Sequence, residues 1–129
     1  MTERELGQYK AIRSEIADLK RRIEETKRLD KTFQIAGTDP AEAAQRQEKV
    51  LDLLRQRETQ KDELVEMQRE MEDYINKIPD SLTRVIFRMY FFDGLNQLEI
   101  GRKTGYDQGT VSRKIKSYFK LHSMHTVTC

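Results

Sequence analysis

Proline stands at two positions in this chain of 129 residues, Pro40 and Pro79, and the stretch between them holds no glycine. Proline and glycine are the residues that stop or kink helices, so the segment can run unbroken for about 38 residues, roughly 57 Å at 1.5 Å per residue. Its apolar and long-stemmed residues follow a 3-4 spacing: Ala43, Gln47, Val50, Leu54, Arg57, Lys61, Leu64, Gln68, Met71, Ile75 and Ile78. Asp39 is a helix cap, Pro40 suits the first turn, and Glu42 completes a capping box. Upstream, Tyr9, Ile12, Ile16, Leu19 and Ile23 repeat the same spacing and predict a first helix over residues 2–29. DKTFQIAGTDP separates the two stripes, and Gly37 and Pro40 interrupt any helix there. Two helices joined by about ten residues can fold back as an antiparallel coiled-coil hairpin. One hairpin covers only part of two stripes, so residues 1–78 are expected to drive homo-oligomerisation.

Charged residues make up 36% of the chain and apolar residues 36%, a balance suited to solvated helices. No apolar run is long enough to cross a bilayer, and MTERELGQYK lacks the apolar stretch of a signal peptide. The expectation is a cytoplasmic protein without membrane contact. The single cysteine, Cys129, allows no internal disulfide. His122, His125 and Cys129 fall short of the four ligands of a structural zinc site, so no metal or cofactor is expected, and residues 122–129 read as a flexible tail. No nucleophile triad, phosphate loop or carboxylate pair appears, which predicts a non-enzyme.

Charge is unevenly placed. From Pro79 onward there are eight basic residues (Arg84, Arg88, Arg102, Lys103, Arg113, Lys114, Lys116, Lys120) against four acids (Asp80, Asp93, Glu99, Asp107). The first 78 residues carry 16 basic and 18 acidic side chains. A basic surface on a short segment suits a polyanion.

Residues 79–121 also carry the densest local signals. SLTRVIFRMYFF predicts a helix with Leu82, Val85, Ile86, Met89 and Tyr90 inward, started by Asp80 or Ser81 and ended by Asp93-Gly94. Asn96 and Glu99 form a second capping box, with Leu95 and Ile100 as a hydrophobic staple. Gly101 allows close approach, Gly105 the left-handed turn, and Tyr106 is expected to plug that turn. Asp107 caps a last helix with Val111, Ile115 and Tyr118 inward. Together these offsets predict a helix-turn-helix. The opposite face of the last helix holds Gly109, Arg113, Lys116, Ser117 and Lys120, flanked by Thr110, Ser112 and Lys114, with Gln108 in the first turn. Arg, Gln, Ser and Thr can meet base edges, Lys can meet phosphates, and no large apolar residue intervenes. Arg113 is the expected principal base reader, with no acid set to compete for it. Asn96 and Arg102 on the preceding helix complete the expected DNA-binding set.

RMYFFDGLNQLEIGRKTGYDQGTVSRKIKSYF resembles region 4 of bacterial sigma factors, which reads the −35 promoter element. The likeness lies in the aromatic-Asp-Gly-Leu start, the Glu-Ile-Gly first helix and the Gly-Thr-Val opening of the second. Thr104 departs from the usual Leu or Ala before the turn glycine. Nothing corresponds to sigma region 2. A coiled-coil N-terminus before such a domain resembles phage-encoded transcriptional regulators of the RinA and ArpU type, late-gene activators. That resemblance implies an all-α, sequence-specific DNA-binding transcription regulator acting on double-stranded DNA, with host RNA polymerase as a second partner. Two alternatives remain open on the residues: a phage small terminase subunit, which also joins a helix-turn-helix to oligomerising helices, and a structural coiled-coil scaffold.

Overall fold

The computed structural model describes the backbone of residues 1–35 and 39–127 and the side chains of 1–29 and 39–121. Helix is the only regular secondary structure among the described residues. In order these are α1 (Glu3–Leu6), α2 (Tyr9–Ile35), α3 (Pro40–Asn76), α4 (Ser81–Phe87), a π-helical turn (Arg88–Phe92), α5 (Gln97–Thr104) and α6 (Gln108–Val127). The chain resolves into two compact units, one of Ile12–Gln68 and one that combines Met1–Ala11 with Arg69–Cys129.

Within Ile12–Gln68, the α2 stripe is buried as its spacing predicts: Ile12, Ile16, Leu19 and Ile23 are each 5–6% exposed. The single helix expected over 2–29 differs at both ends. It breaks after Leu6, where the Gly7 amide donates to the Glu3 carbonyl, and it runs on to Ile35. Thr26 extends the stripe, and its hydroxyl is satisfied by the Arg22 carbonyl at 2.7 Å. Arg57 of α3 donates to the Thr26 hydroxyl and to the Arg22 carbonyl, and Gln60 reaches Glu15 at 3.4 Å. Later residues of α3 thus meet earlier residues of α2. On the α3 ladder, Val50, Leu54, Arg57, Lys61 and Leu64 are half-buried, whereas Gln47 is exposed. The long stems of Arg57 and Lys61 cover apolar surface while their charged ends reach polar partners.

In the other unit the core is formed by Leu6, Met71, Ile75, Ile78, Ile86, Phe87, Phe91, Ile100, Val111, Ile115 and Phe119. Leu6 and Tyr9 therefore belong with the C-terminal residues, and Tyr9 stacks on Phe92 at 4.1 Å while its hydroxyl donates to Glu72 at 2.7 Å. α3 ends at Asn76 rather than continuing to Ile78. Arg84 donates to the Ile78 and Pro79 carbonyls and Arg88 to the Asn76 side chain, which stitches the α3–α4 junction. Asp80 starts α4 by accepting from the Thr83 amide at 3.1 Å.

The inward face of α4 is rotated by one residue from the expected one. Thr83, Ile86, Phe87 and Phe91 are buried, and Leu82, Val85, Met89 and Tyr90 are only half-buried. SLTRVIFRMYFF is apolar over most of its circumference, so two adjacent stripes were available, and the one with two phenylalanines buries more area. Phe87, wholly buried, packs edge-on against Phe91 and Tyr118 and stacks on Phe119, with ring centres 5.2–5.4 Å apart. Such pairs add about 0.5–1.5 kcal/mol each beyond area burial. The π turn closes with the Asp93 amide on the Arg88 carbonyl, and Gly94, at φ +71°, turns the chain out.

Candidate nucleic-acid interface

The ends of α5 and the start of α6 are fixed by hydrogen bonds that span four residues or fewer. The capping box at the start of α5 is complete: the Glu99 amide donates to Asn96 Oδ1 at 2.8 Å, and the Asn96 amide donates to Glu99 Oε1 at 3.4 Å. Ile100 is fully buried and Leu95 half-buried. Gly105 ends the helix at φ +82°, with its amide on the Gly101 carbonyl at 2.9 Å. Thr104 is satisfied within the helix, since its hydroxyl donates to the Ile100 carbonyl at 2.8 Å.

Gly101 makes room for the turn and for the start of the neighbouring helix α6. A Cβ there would lie 2.6 Å from the carbonyl oxygen of Tyr106, closer than any real contact. The backbone carries the turn, and the Tyr106 ring is 47% exposed instead of plugging it. Asp107 caps α6 by accepting from the Thr110 amide at 2.6 Å. The hydrogen bonds from Thr110 hold the Asp107 carboxyl below its ordinary range, and the nearby Arg113 charge adds to this.

On α6 the buried line is Val111, Ile115 and Phe119; Tyr118, expected inward, is half-buried against Phe87 and Tyr74. Residues 111, 115 and 119 are four apart, and Phe119 is the aromatic that continues that line toward Phe87 and Phe91. The opposite face is left to solvent: Gln108, Gly109, Arg113, Lys116, Ser117 and Lys120 are exposed, and Thr110, Ser112 and Lys114 half-buried. Arg102 and Asn96 are exposed on α5, although Asn96 Oδ1 is engaged in capping.

Two of the basic side chains of this set, Arg113 and Lys114, have intramolecular partners. Arg113 donates to the Thr110 hydroxyl at 3.2 Å, three residues back, and lies beside Gly109 and Asp107. Lys114 approaches Asp80 at 3.6 Å. Asp80, Thr83, Thr110, Arg113, Lys114, Ser117, Tyr118 and Leu121 line one shallow groove of about 450 Å³. Asp80 is the site residue that sequence reasoning missed, because nothing local joins it to Lys114 across 34 positions. The side chains of His122 and His125, and the whole of Cys129, lie outside the described residues, whereas the backbone of 122–127, expected as a flexible tail, continues α6 to Val127. Among the described residues no three His, Cys, Asp or Glu side chains converge as metal ligands, and no helix is long and apolar enough to cross a membrane. Comparison with known protein families, with curated proteins and with solved structures returns no match.

Proposed function

We propose that the protein is a sequence-specific DNA-binding transcription regulator in which α5, its turn and α6 form a helix-turn-helix. The observation that carries this reading is the α6 surface. Four basic residues and several short polar ones lie between Thr110 and Lys120 without an acid, on a helix anchored through its other side by Val111, Ile115 and Phe119. A helix inserted into a major groove needs such a division between an anchored line and a basic, polar, convex face. The sigma region 4 likeness supports the same reading and makes promoter DNA the target, host RNA polymerase a second partner, and a phage late-gene activator the proposed class.

For Ile12–Gln68 we propose an antiparallel coiled-coil hairpin that mediates self-association. Its α2 stripe is already covered within one chain, so association would use apolar side chains left outward, such as Leu51, Leu53 and Met67, each about 40% exposed.

Selection of bound duplexes from a random pool tests the function directly. A recovered consensus supports it, and recovery of unselected sequence or of no DNA refutes it. Arg113 sharpens the test. In the unbound chain its guanidinium rests on the Thr110 hydroxyl with the capping Asp107 carboxylate nearby, and a base edge would have to replace that contact. Bidentate contact with guanine gives about 1–3 kcal/mol of discrimination. Arg113→Ala should relax one position of the consensus, and Arg113→Lys should restore general affinity without that position. Parallel losses on specific and random DNA with an unchanged consensus would make Arg113 a phosphate contact.

A further inference from the structure

We propose that Asp80 competes internally with phosphate for the charge of Lys114, and so limits how strongly the α6 face holds duplex DNA regardless of sequence. The inference rests on the DNA-binding reading above and adds a residue to it that lies outside α5 and α6.

Asp80 does not owe its position to Lys114. Its Oδ2 accepts from the Thr83 amide at 3.1 Å and from the Thr83 hydroxyl at 2.5 Å, because it is the cap of α4. Those bonds are also the main reason its carboxyl titrates below the ordinary range, with Lys114 contributing less. The same oxygen stands 3.6 Å from Lys114 Nζ across the shallow groove. A carboxylate tied down by local bonds cannot swing away when a phosphate arrives. Lys114 must therefore leave Asp80 to neutralise a phosphate, or stay and release no counterion. Lys116 and Lys120, further round the helix, are exposed and do not line that groove.

Asp80→Asn separates the charge from the cap, since Asn caps helices as well as Asp. The full-length protein and its D80N, K114A and double variants would be titrated with a labelled random-sequence duplex between 50 and 200 mM salt. Each phosphate neutralised contributes about −0.9 to the slope of log K against log salt. D80N is expected to steepen the slope by about that amount, so its advantage over the wild type should be about 3.5-fold greater at 50 mM than at 200 mM. K114A alone should flatten the slope by clearly less than a full phosphate contact and should abolish the whole D80N increment in the double variant. If K114A flattens the wild-type slope by about 0.9, Lys114 is not withheld and the inference fails. It fails equally if D80N gains as much without Lys114, because Asp80 then acts on the DNA directly. A wild type that binds no duplex at any salt overturns the DNA-binding reading along with it, whereas normal binding without the double-variant pattern overturns this inference alone.

Discussion

Gly101→Ala is expected to destabilise the unit that contains α5 and α6, although the substitution should help by helix propensity. Ala is favoured over Gly in a helix interior by about 1 kcal/mol. Against that gain, the new Cβ would stand 2.6 Å from the Tyr106 carbonyl oxygen, a backbone atom fixed between the Gly105 turn and the Asp107 cap. Forcing a methyl group into such a site costs about 1–3 kcal/mol, so a net loss of about 1 kcal/mol is expected. For a unit of this size that is a fall of roughly 4–8 °C in melting temperature. Tyrosine fluorescence is the suitable assay, because Tyr9, Tyr74, Tyr90, Tyr106 and Tyr118 all fall in this unit. Gly105 is the control with a different cause. A Cβ there would meet nothing within 4 Å, but φ is +82°, so Gly105→Ala is opposed by backbone strain of about 1–2 kcal/mol. Asn tolerates that conformation better than Ala, so Gly105→Asn should recover part of the loss, whereas Gly101→Ser should be no better than Gly101→Ala. A Gly101→Ala protein as stable as the wild type, or more stable, would refute the account of the turn.

Lys120→Ala should weaken binding to all duplexes alike and flatten the salt slope by about 0.9; an unchanged slope removes Lys120 from the interface. Replacing Ile16 and Leu19 together by Asp places two charges in a stripe that is 6% exposed, so far-UV circular dichroism should show helix lost from Ile12–Gln68 while the tyrosine transition persists. Retained helicity would show that the stripe is not holding that unit. Folding depresses the carboxyl of Asp107, so its charge stabilises the fold fully above the ordinary value of 3.8 and ceases to do so as pH falls through the lower folded value. The difference in urea midpoint between wild type and Asp107→Asn should accordingly be present at neutral pH and vanish in strong acid; a difference independent of pH would assign the effect to shape alone.

What could be read directly from the chain was whatever is decided within about four residues. The Asn96–Glu99 box, the left-handed Gly105, the Asp107 cap and the buried Ile12–Ile23 stripe all depend on neighbours one helical turn away. Features decided by distant packing could not be read in this way. Whether Phe119 or Tyr118 turns inward depends on Phe87 and Phe91, roughly thirty positions earlier. Which of two apolar stripes on α4 is buried follows from the same aromatic cluster. The break at Gly7 accompanies the recruitment of Leu6 and Tyr9 to residues beyond Arg69, and no local pattern encodes it. In the candidate site, residue types and exposure were legible, but the pairing of Lys114 with Asp80, 34 positions away, was not. The contact of Arg113 with Thr110 is local, three residues back, and was overlooked rather than hidden.

The membership of Met1–Ala11 in the same compact unit as α4–α6 makes residues 12–68 an insertion in topological terms. A fragment covering only 79–121 would forfeit Leu6, Ile75 and Ile78, three of the most deeply buried side chains of its own core. Proteolysis within the insertion would leave two pieces that each hold part of that core, so the cut protein should remain associated. The insertion also has an adjustable length. Seven residues span close to two helical turns, so removing or adding seven in both α2 and α3 would nearly preserve the phase of each stripe where it enters and leaves the unit. The insertion could then change length while the unit of Met1–Ala11 and Arg69–Cys129 stays unchanged.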